Sequence, residues 1–204
     1  MAEPARHFSY NDIMPSLAFA LFDTAIGFCA VVWSARGVAG VQLPEADARA
    51  TRARVLKRYR DALESAPPPA TQRAIEGMVA LLDGAAEDLG DVAVDVAHLA
   101  EFNRKVYDVA RTIGPGATLT YGEVAERLGD PRLARAVGQA LGQNPVPLII
   151  PCHRVLAAGG KAGGFSASGG VVTKLRLLTI EGARPGGPTL FDRLPLAAAR
   201  RRPS

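Results

Sequence analysis

The alternation of apolar and polar residues divides the chain into a β-prone first part and a helical second part. Short apolar runs at 18–23, 27–34 and 37–43 are separated by turn-forming residues. Runs of this length and spacing are typical of neighbouring antiparallel strands. We therefore expect a three-stranded meander, preceded by a loose polar arm over residues 1–16.

The period of the apolar residues becomes helical after residue 45. It predicts a helix over 45–64, which the prolines at 67–69 end, and a second helix over 72–82. A further strand is expected over 91–96. The first helix carries the basic residues Arg49, Arg52, Arg54, Lys57, Arg58 and Arg60. These residues could contact nucleic acid, but a basic run of this kind is more often a solvated helix face.

Beyond residue 100 the signals are mainly those of helices and their caps. An apolar stripe over 102–113 predicts one helix, and the Thr-Tyr-Gly-Glu segment at 120–123 has the spacing of a capping box that opens the next. The Asp-Pro pair at 130–131 is a typical start for another helix, which we expect over 131–141. Two helices joined by so short a turn form a candidate helix-turn-helix.

The helix expected over 131–141 has an apolar face and an opposite face with two arginines. The outward residues are Arg132, Arg135, Gln139 and Gly142, with the small residues Ala134, Ala136 and Gly138 beside them. Small residues let a helix approach a surface closely, and arginines can reach phosphates or bases. The pattern fits a DNA-recognition helix or an ordinary amphipathic helix with solvated arginines.

Composition narrows the possible functions. The 204 residues are 48% hydrophobic and 22% charged, which excludes global disorder, and the net charge of +4 favours a polyanionic partner. Two cysteines exclude a disulfide framework and a four-cysteine zinc site. No apolar run approaches the roughly 18 residues that span a membrane. We expect a cytoplasmic protein that has no membrane contact, no metal and no cofactor.

Cys152 is the candidate nucleophile. The prolines of the segment 143–155, QNPVPLIIPCHRV, favour extended chain, and its apolar run should be buried. This segment delivers Cys152, His153 and Arg154 in sequence, and both cationic neighbours can favour a thiolate. Adjacent side chains on an extended chain point apart, so His153 needs a turn or a bridging water to act on the thiol. Cys29 lacks such neighbours and is expected to be buried and inert.

Glu181 is a candidate partner for His153. A helix over 171–181 would place it on one stripe with Val171, Lys174, Leu175 and Leu178. An acid in the last turn opposes the helix dipole, so an inward Glu181 requires a partner. A carboxylate that orients an imidazole beside a nucleophile is a known catalytic arrangement. The alternatives are a neighbour on its own helix or a solvated acid.

The pentapeptide Pro-Cys-His-Arg-Val at 151–155 resembles the active-site signature of the O6-alkylguanine-DNA alkyltransferases, also called methylated-DNA–protein-cysteine methyltransferases. The motif order over 118–183 is similar to that of the family as well: Thr-Tyr-Gly, Ala-Arg-Ala-Val-Gly, Asn-Pro-Val-Pro, Gly-Phe-Ser, then a lysine and Glu-Gly. The resemblance implies a ribonuclease-H-like α/β domain over 17–98 and a mostly helical, winged-helix-like domain with a helix-turn-helix over 99–184. A disordered tail is expected over 185–204.

The resemblance implies DNA repair by direct reversal. A monomer would bind duplex DNA containing O6-alkylguanine in the minor groove and flip out the damaged base. It would transfer the alkyl group irreversibly to Cys152, with O4-alkylthymine as a further candidate substrate. The alternatives are a sensor of the same fold that binds alkylguanine without reacting, and a Cys-His hydrolase.

The family's reacting groups have counterparts in this chain. The resemblance makes Cys152 the alkyl acceptor and has His153 act on it through a water molecule, oriented by Glu181. Tyr121 would crowd the target phosphate and donate a proton to the guanine ring. The resemblance thus implies four catalytic residues.

Further positions match residues that bind DNA or the base. The resemblance has Arg135 fill the gap left by the flipped base and Asn144 brace the loop before the cysteine. Ser166 would contact O6 and the Val155 carbonyl would read the exocyclic amine, with Phe165 in the pocket wall. The expected DNA contacts also include Thr120, Tyr121, Ala134, Ala136 and Gly138.

Some positions depart from the family pattern. Phe165 stands where many members have tyrosine, so a phenolic contact is absent there. The stretch 166–170 is slightly longer than in some members. The residues of the N-terminal zinc cluster found in some relatives are missing, as are the four cysteines of members with an additional metal-binding domain. The resemblance therefore implies no metal site.

Overall fold

The structure, a computed structural model, describes residues 17–183. The arm expected over 1–16 and the tail expected over 185–204 lie outside this range. Within it, no helix is both long enough and apolar enough to cross a membrane. The described chain has a first half built on a sheet and a helical second half.

The first half contains a four-stranded sheet in the order β3-β2-β1-β4. Strands β1 (Ala18–Phe22), β2 (Cys29–Ser34) and β3 (Gly37–Gln42) pair in antiparallel fashion, so the meander is confirmed. Strand β4 (Leu63–Glu64) pairs with β1 in parallel. The sheet is therefore mixed.

The basic helix is shorter than predicted. Helix α1 covers Ala48–Arg58, not 45–64, because Asp47 caps it by accepting a hydrogen bond from the Ala50 N–H at 2.7 Å. Residues 63–64, which were expected in the helix, form β4 and pair with β1. The local sequence does not reveal this tertiary pairing. Helix α2 covers Pro69–Leu82 and begins earlier than predicted, with a proline in its first turn.

The strand predicted over 91–96 is wrong. Only one bridge forms there, between Val94 and Val38 of β3. The close approach depends on Gly37, whose φ is +136° and where a Cβ atom would lie 2.5 Å from the Ala93 carbonyl oxygen. Asp95 then anchors the segment by accepting a hydrogen bond from Arg36 Nε at 3.0 Å. Two backbone hydrogen bonds to Val38, from its N–H to the Ala93 carbonyl at 2.9 Å and from the Asp95 N–H to its carbonyl at 2.8 Å, hold the segment together with these side-chain contacts.

The second half contains four α-helices and a two-stranded parallel sheet. The helices are α3 (Glu101–Arg111), α4 (Tyr121–Arg127), α5 (Ala134–Gly142) and α6 (Gly170–Ile180), and the strands are β5 (Leu119–Thr120) and β6 (Val155–Leu156). The helices predicted over 102–113 and from residue 120 are confirmed.

The helix predicted over 131–141 begins differently. Pro131–Leu133 form a 3-10 turn and α5 starts only at Ala134. Asp130 caps this turn through the Arg132 N–H and also pairs with the Arg132 guanidinium at 2.9 Å. Of the two outward arginines, Arg132 is thus tied to the turn, and Arg135 belongs to the helix itself.

The buried face of α6 differs from the predicted stripe. Lys174, Leu177 and Leu178 are buried, whereas Val171 is 41% exposed. These three residues follow the i, i+3, i+4 spacing of a packed helix face, and the first turn of α6 lies outside that contact. Glu181 is the C-cap residue that follows the helix.

The core is continuous between the two halves. On β2, alternate residues face opposite sides of the sheet, as the strand period requires. Cys29 and Val31 join a large cluster that includes Met78 of α2 and Val137 of α5, while Val32 packs on the other face beneath α1. The large cluster also contains Cys152. The candidate nucleophile therefore lies at the edge of the shared core.

Candidate active site

A rigid loop carries the candidate nucleophile. The Asn144 side chain donates to the Ile150 carbonyl at 2.7 Å and accepts from the Val146 N–H at 3.0 Å. Leu148 has a φ of +76°, a backbone conformation rare for residues other than glycine. The Cys152 N–H donates to the Ile150 carbonyl at 2.8 Å. Asn144 thus holds both ends of the loop, at the place where the resemblance puts a bracing residue.

A 3-10 turn over Cys152–Arg154 resolves the orientation problem posed by adjacent side chains. With about three residues per turn, consecutive side chains point in three directions. Cys152 is 9% exposed, and His153 is fully buried. The thiol can therefore reach a cavity while the imidazole lies inside the protein.

The buried side chains of His153 and Arg154 converge on Glu181. His153 Nε2 lies 2.8 Å from one carboxylate oxygen, and Arg154 Nε donates to the other at 2.8 Å. A second Arg154 nitrogen donates to the first oxygen at 2.9 Å. Burial alone would raise the pKa of Glu181, but hydrogen bonds from these two partners lower it to about 2. Glu181 is therefore an ionised carboxylate held in one orientation.

His153 is a neutral base with one ring nitrogen available. Burial lowers the pKa of His153, although Glu181 acts in the opposite direction. Because an ionised carboxylate only accepts hydrogen bonds, Nε2 of His153 carries the proton and Nδ1 has a free lone pair. Nδ1 is buried and has no hydrogen-bond partner among the described residues. This nitrogen is the atom at which the imidazole can accept a proton.

The thiol of Cys152 is protonated in the resting site. Burial raises the pKa of Cys152, while a hydrogen bond from Asn144 and the charge of Lys174 lower it in part. The other cysteine, Cys29, is completely buried in the core, and burial raises its pKa to about 12. Only Cys152 combines access to solvent with groups that favour the thiolate.

Lys174 is a buried cation for which the sequence predicted no role. Its Nζ donates to the Val155 carbonyl at 2.6 Å and lies 5.6 Å from the centre of the Tyr121 ring. Burial lowers the pKa of Lys174 to about 8. The sequence offered one signal, a lysine on the inward stripe of α6. Lys174 occupies one lone pair of the Val155 carbonyl, which leaves the other for the amine contact expected there.

The capping box predicted for α4 is present. Thr120 Oγ1 accepts from the Glu123 N–H at 3.1 Å, and the Thr120 N–H donates to the Glu123 carboxylate at 2.6 Å. This reciprocal pair fixes the first turn of α4, where Tyr121 is the first residue. The Thr120 hydroxyl accepts in the cap and keeps its own hydrogen as a donor, and Tyr121 has a defined position.

Tyr121 is half-buried between two glycines. Cβ atoms at Gly163 and Gly138 would lie 3.1 Å and 3.8 Å from its ring. Burial raises the pKa of Tyr121, and the charge of a Cys152 thiolate adds to this effect. The phenol therefore keeps its proton and can serve as a proton donor.

A cavity of about 380 Å³ opens over Cys152. Its wall includes Asn144, Pro147, Phe165 and Ser166, so Phe165 and Ser166 border the same cavity as the thiol. Tyr121 and Val155 are not part of this wall. A larger cavity, about 670 Å³ and bordered by Arg36 and Asp95, does not include Cys152.

Arg135 lies on the outer face of α5, beside small residues. Arg135 is exposed, and among the described residues it has no ion pair or hydrogen bond. The small residues Ala134, Ala136 and Gly138 are half-buried beside it, while Val137 packs in the core. Among the described residues, no group of His, Cys, Asp and Glu side chains is arranged to hold a metal ion.

Comparisons with known proteins identify similar sequences and folds. Residues 101–183 match the family model for the DNA-binding domain of 6-O-methylguanine DNA methyltransferase. The methylated-DNA–protein-cysteine methyltransferase of Methanothermobacter thermautotrophicus is 40% identical over 152 residues, covering 74% of this chain and 78% of that protein. The enzyme of the same name from Mycolicibacterium paratuberculosis is 41% identical over 126 residues, covering 61% and 74%.

Solved structures extend the similarity to the fold. The crystal structure of Mycobacterium tuberculosis O6-methylguanine methyltransferase matches with a TM-score of 0.66 and 31% identity, covering 86% of this chain and 99% of that one. A complex of the M. tuberculosis protein with DNA also matches with a TM-score of 0.66, at 30% identity, covering 80% and 92%.

Proposed function

This chain belongs to the methylated-DNA–protein-cysteine methyltransferase family, and from that premise we propose how its own residues repair O6-alkylguanine in DNA. It is an enzyme of direct reversal that moves the alkyl group from the base to one of its cysteines. The observation that carries the assignment to residues is the chain of contacts behind Cys152. The Cys152 thiol is followed by His153, and Nε2 of His153 is hydrogen-bonded to the ionised carboxylate of Glu181.

The first chemical step is activation of the thiol. The Cys152 proton passes to Nδ1 of His153, through a bridging water. The positive charge that forms on the imidazole is stabilised by Glu181, which lies 2.8 Å from Nε2. Lys174 stabilises the thiolate electrostatically. Proton transfer to a positioned base contributes roughly 10²–10⁴-fold to the rate.

The second step is one displacement at carbon. The thiolate attacks the alkyl carbon, a carbon–sulfur bond forms, and the bond from that carbon to O6 breaks. The electron pair goes to the guanine ring, which takes a proton from Tyr121 so that no anion is expelled. Ser166 contacts O6 and the Val155 carbonyl accepts from the exocyclic amine. The product is a stable thioether, so each molecule repairs one base.

The damaged base reaches Cys152 by flipping out of the DNA duplex. A base stacked in a duplex cannot enter the cavity over Cys152, so it must be extruded. Helices α4 and α5 form the helix-turn-helix, which enters the minor groove with its small residues Ala134, Ala136 and Gly138 against the backbone. Thr120 and Tyr121 contact the target phosphate, and Arg135 fills the space that the base leaves.

The finer fold assignments follow the same premise. We assign residues 17–98 to a ribonuclease-H-like domain and residues 99–184 to a winged-helix-like DNA-binding domain. The whole protein acts as a monomer in the cytoplasm. The mixed sheet of the first half and the helical second half support this division.

One labelling experiment tests the function. The full chain is incubated with duplex DNA in which the methyl group of O6-methylguanine is labelled. We expect one label per protein molecule, located on Cys152 by peptide mapping, and the same result on O4-methylthymine would extend the substrate range. No label would indicate a non-reacting sensor, and several turnovers per molecule would indicate a hydrolase.

Two cysteine variants make the assignment specific. Cys152→Ala should remove alkyl transfer and keep DNA binding, because the DNA contacts lie elsewhere. Cys29→Ala should transfer normally, because that thiol is buried in the core with a pKa of about 12. Demethylation of DNA by Cys152→Ala would show that another group is the acceptor.

A further inference from the structure

The first half of the chain contributes positive charge to the cavity that holds Cys152. Three residues of α1 form part of its wall: Arg54, Lys57 and Arg58. At about 100° per residue these three lie on one side of α1, next to the buried residues Thr51 and Val55. We call this side, defined by the three cations, the basic face of α1.

The basic face is not neutralised within the described chain. Among the described residues its one ion pair is with Glu45, also in the cavity wall, whose carboxylate lies 3.9 Å from Arg54 Nε at the limit of an ion pair. Three cations and one carboxylate leave two positive charges at the cavity. The Arg54 side chain is 57% exposed, so the charge lies at the rim and is reachable from solvent.

We propose that the basic face of α1 binds the sugar-phosphate backbone of the DNA strand that delivers the base to Cys152. This inference rests on the proposed function. A flipped base is covalently tied to its deoxyribose, so when the base enters the cavity, the phosphates on either side of that nucleotide stay at the mouth. Long cationic side chains at the rim are suited to meet them.

The inference gives the first half of the chain a role in DNA binding. Helix α5 holds the duplex from one side through Arg135, and α1 adds a second site on the other half of the chain. The charges could instead meet an anionic group on the alkyl substituent. A methyl group carries no charge, whereas every DNA substrate carries phosphates, so the backbone is the favoured partner.

A pair of matched double variants tests the proposal. Arg54→Gln with Lys57→Gln removes two cations from the basic face. Arg49→Gln with Arg52→Gln removes two from the far side of the same helix, where Arg52 pairs with Glu64 and neither residue borders the cavity. Both doubles lower the net charge from +4 to +2. Any difference between them reports position and not total charge.

The measurement is the affinity for duplex DNA as a function of salt. Each lost phosphate contact reduces the slope of log affinity against log salt by about 1, so the basic-face double should lose about 2 units of slope. Its affinity at low salt should fall several-fold below that of the far-side double, whose slope should match the parent's. Equal slopes in all three proteins would overturn the proposal.

A second arm separates the phosphate from the base. Free O6-methylguanine has no phosphate, so a rate loss on the free base equal to the loss on duplex DNA would place the cations at the base and overturn the proposal. A preferential loss with O6-carboxymethylguanine would assign them to an anionic adduct. If the parent protein itself transfers no methyl group, the proposed function fails. If the parent transfers the methyl group but the two double variants have the same affinity and salt slope, the proposed function stands and this inference fails.

Discussion

At the scale of the residue, the site depends on how the carboxylate of Glu181 is shared. Arg154 binds both of its oxygens and His153 binds one, so the carboxylate cannot rotate away from the imidazole. The fixed acceptor keeps the proton of His153 on Nε2. Nδ1 therefore remains unprotonated and can act as the base, and His153 does not have to change its tautomer first.

Replacement of Glu181 by glutamine should slow alkyl transfer and shift its pH dependence. Without the negative charge, protonated His153 is less stable, so its pKa falls further and the thiolate forms only in more alkaline solution. We expect single-turnover rates at neutral pH to drop at least about tenfold, since a positioned base contributes roughly 10²–10⁴. The rate-limiting ionisation should move to higher pH.

The pH profile separates this role from a structural one. Glutamine leaves the Arg154 guanidinium buried without its counter-ion, and breaking such a pair costs about 3–5 kcal/mol of unfolding free energy. The thermal stability of the variant should therefore be measured together with its transfer rates. A variant that is less stable but keeps the parent's pH profile would remove Glu181 from thiol activation.

Lys174 should make stability depend on pH in the alkaline range. Its pKa is about 8 in the folded chain against an ordinary 10.5. Between these values the unfolded chain binds the proton and the folded chain does not, so the contribution of Lys174 to stability rises with pH. The difference in unfolding free energy between the parent and Lys174→Met should therefore change by up to about 3 kcal/mol from pH 8 to 10.5.

An exposed lysine provides the control for this measurement. Lys161 lies on the surface, so Lys161→Met controls for the loss of one lysine from the chain. Comparing variants cancels the other groups that titrate there. A Lys174→Met curve parallel to the parent's would mean that the amine keeps its ordinary pKa in the fold.

At the scale of the element, α5 presents Arg135 without any partner in the described chain. Arg135→Ala should slow single-turnover repair at saturating duplex DNA far more than reaction with the free base. Extrusion of a base costs a few kcal/mol, so loss of the residue that fills the gap should slow duplex repair by about tenfold or more. An unchanged rate at saturation, with only a weaker salt dependence of binding, would make Arg135 a phosphate contact.

The elements that the sequence predicted are those with local signals. The capping box at Thr120 and the stripe of α3 are encoded within a few residues, and both are confirmed. The end of α1 and the segment after residue 91 depend on partners far along the chain. Leu63 pairs with β1, and Val94 makes one bridge because Gly37 lets the chain approach. Such contacts leave no periodic pattern.

The candidate site follows the same rule. Cys152, His153 and Glu181 could be named from their types and positions, and the structure brings His153 and Glu181 into contact. Arg154 was expected to act on the thiol, but it binds Glu181, because the 3-10 turn aims its side chain away from Cys152. The contact of Lys174 with the Val155 carbonyl depends on how α6 packs, so the sequence could not reveal it.

At the scale of the whole molecule, the two halves share one core and are joined by further contacts. The Val41 N–H of β3 donates to the Pro145 carbonyl in the loop before Cys152 at 2.9 Å. Arg176 of α6 donates to the Ala25 carbonyl at 3.0 Å. The position of the nucleophile therefore depends on the integrity of the first half as well as the second.

Unfolding of the full chain should accordingly be one cooperative transition. The single tryptophan, Trp33, is buried in the shared core on the sheet side, while most of the α-helical residues that circular dichroism detects lie in α3 to α6 of the second half. We expect fluorescence and dichroism to change with the same midpoint in urea. Two separated midpoints would show that the halves unfold independently.

The contrast between the two thiols has a practical consequence for counting molecules. Cys29 is sealed in the core and Cys152 reacts once, so one chain can carry one transferred group and no more. The protein is therefore consumed in the reaction, and the number of transfers it can make equals the number of unreacted molecules. Its performance is described by a second-order rate constant and a copy number, and the lesions that a cell can correct before new synthesis equal its stock of the chain.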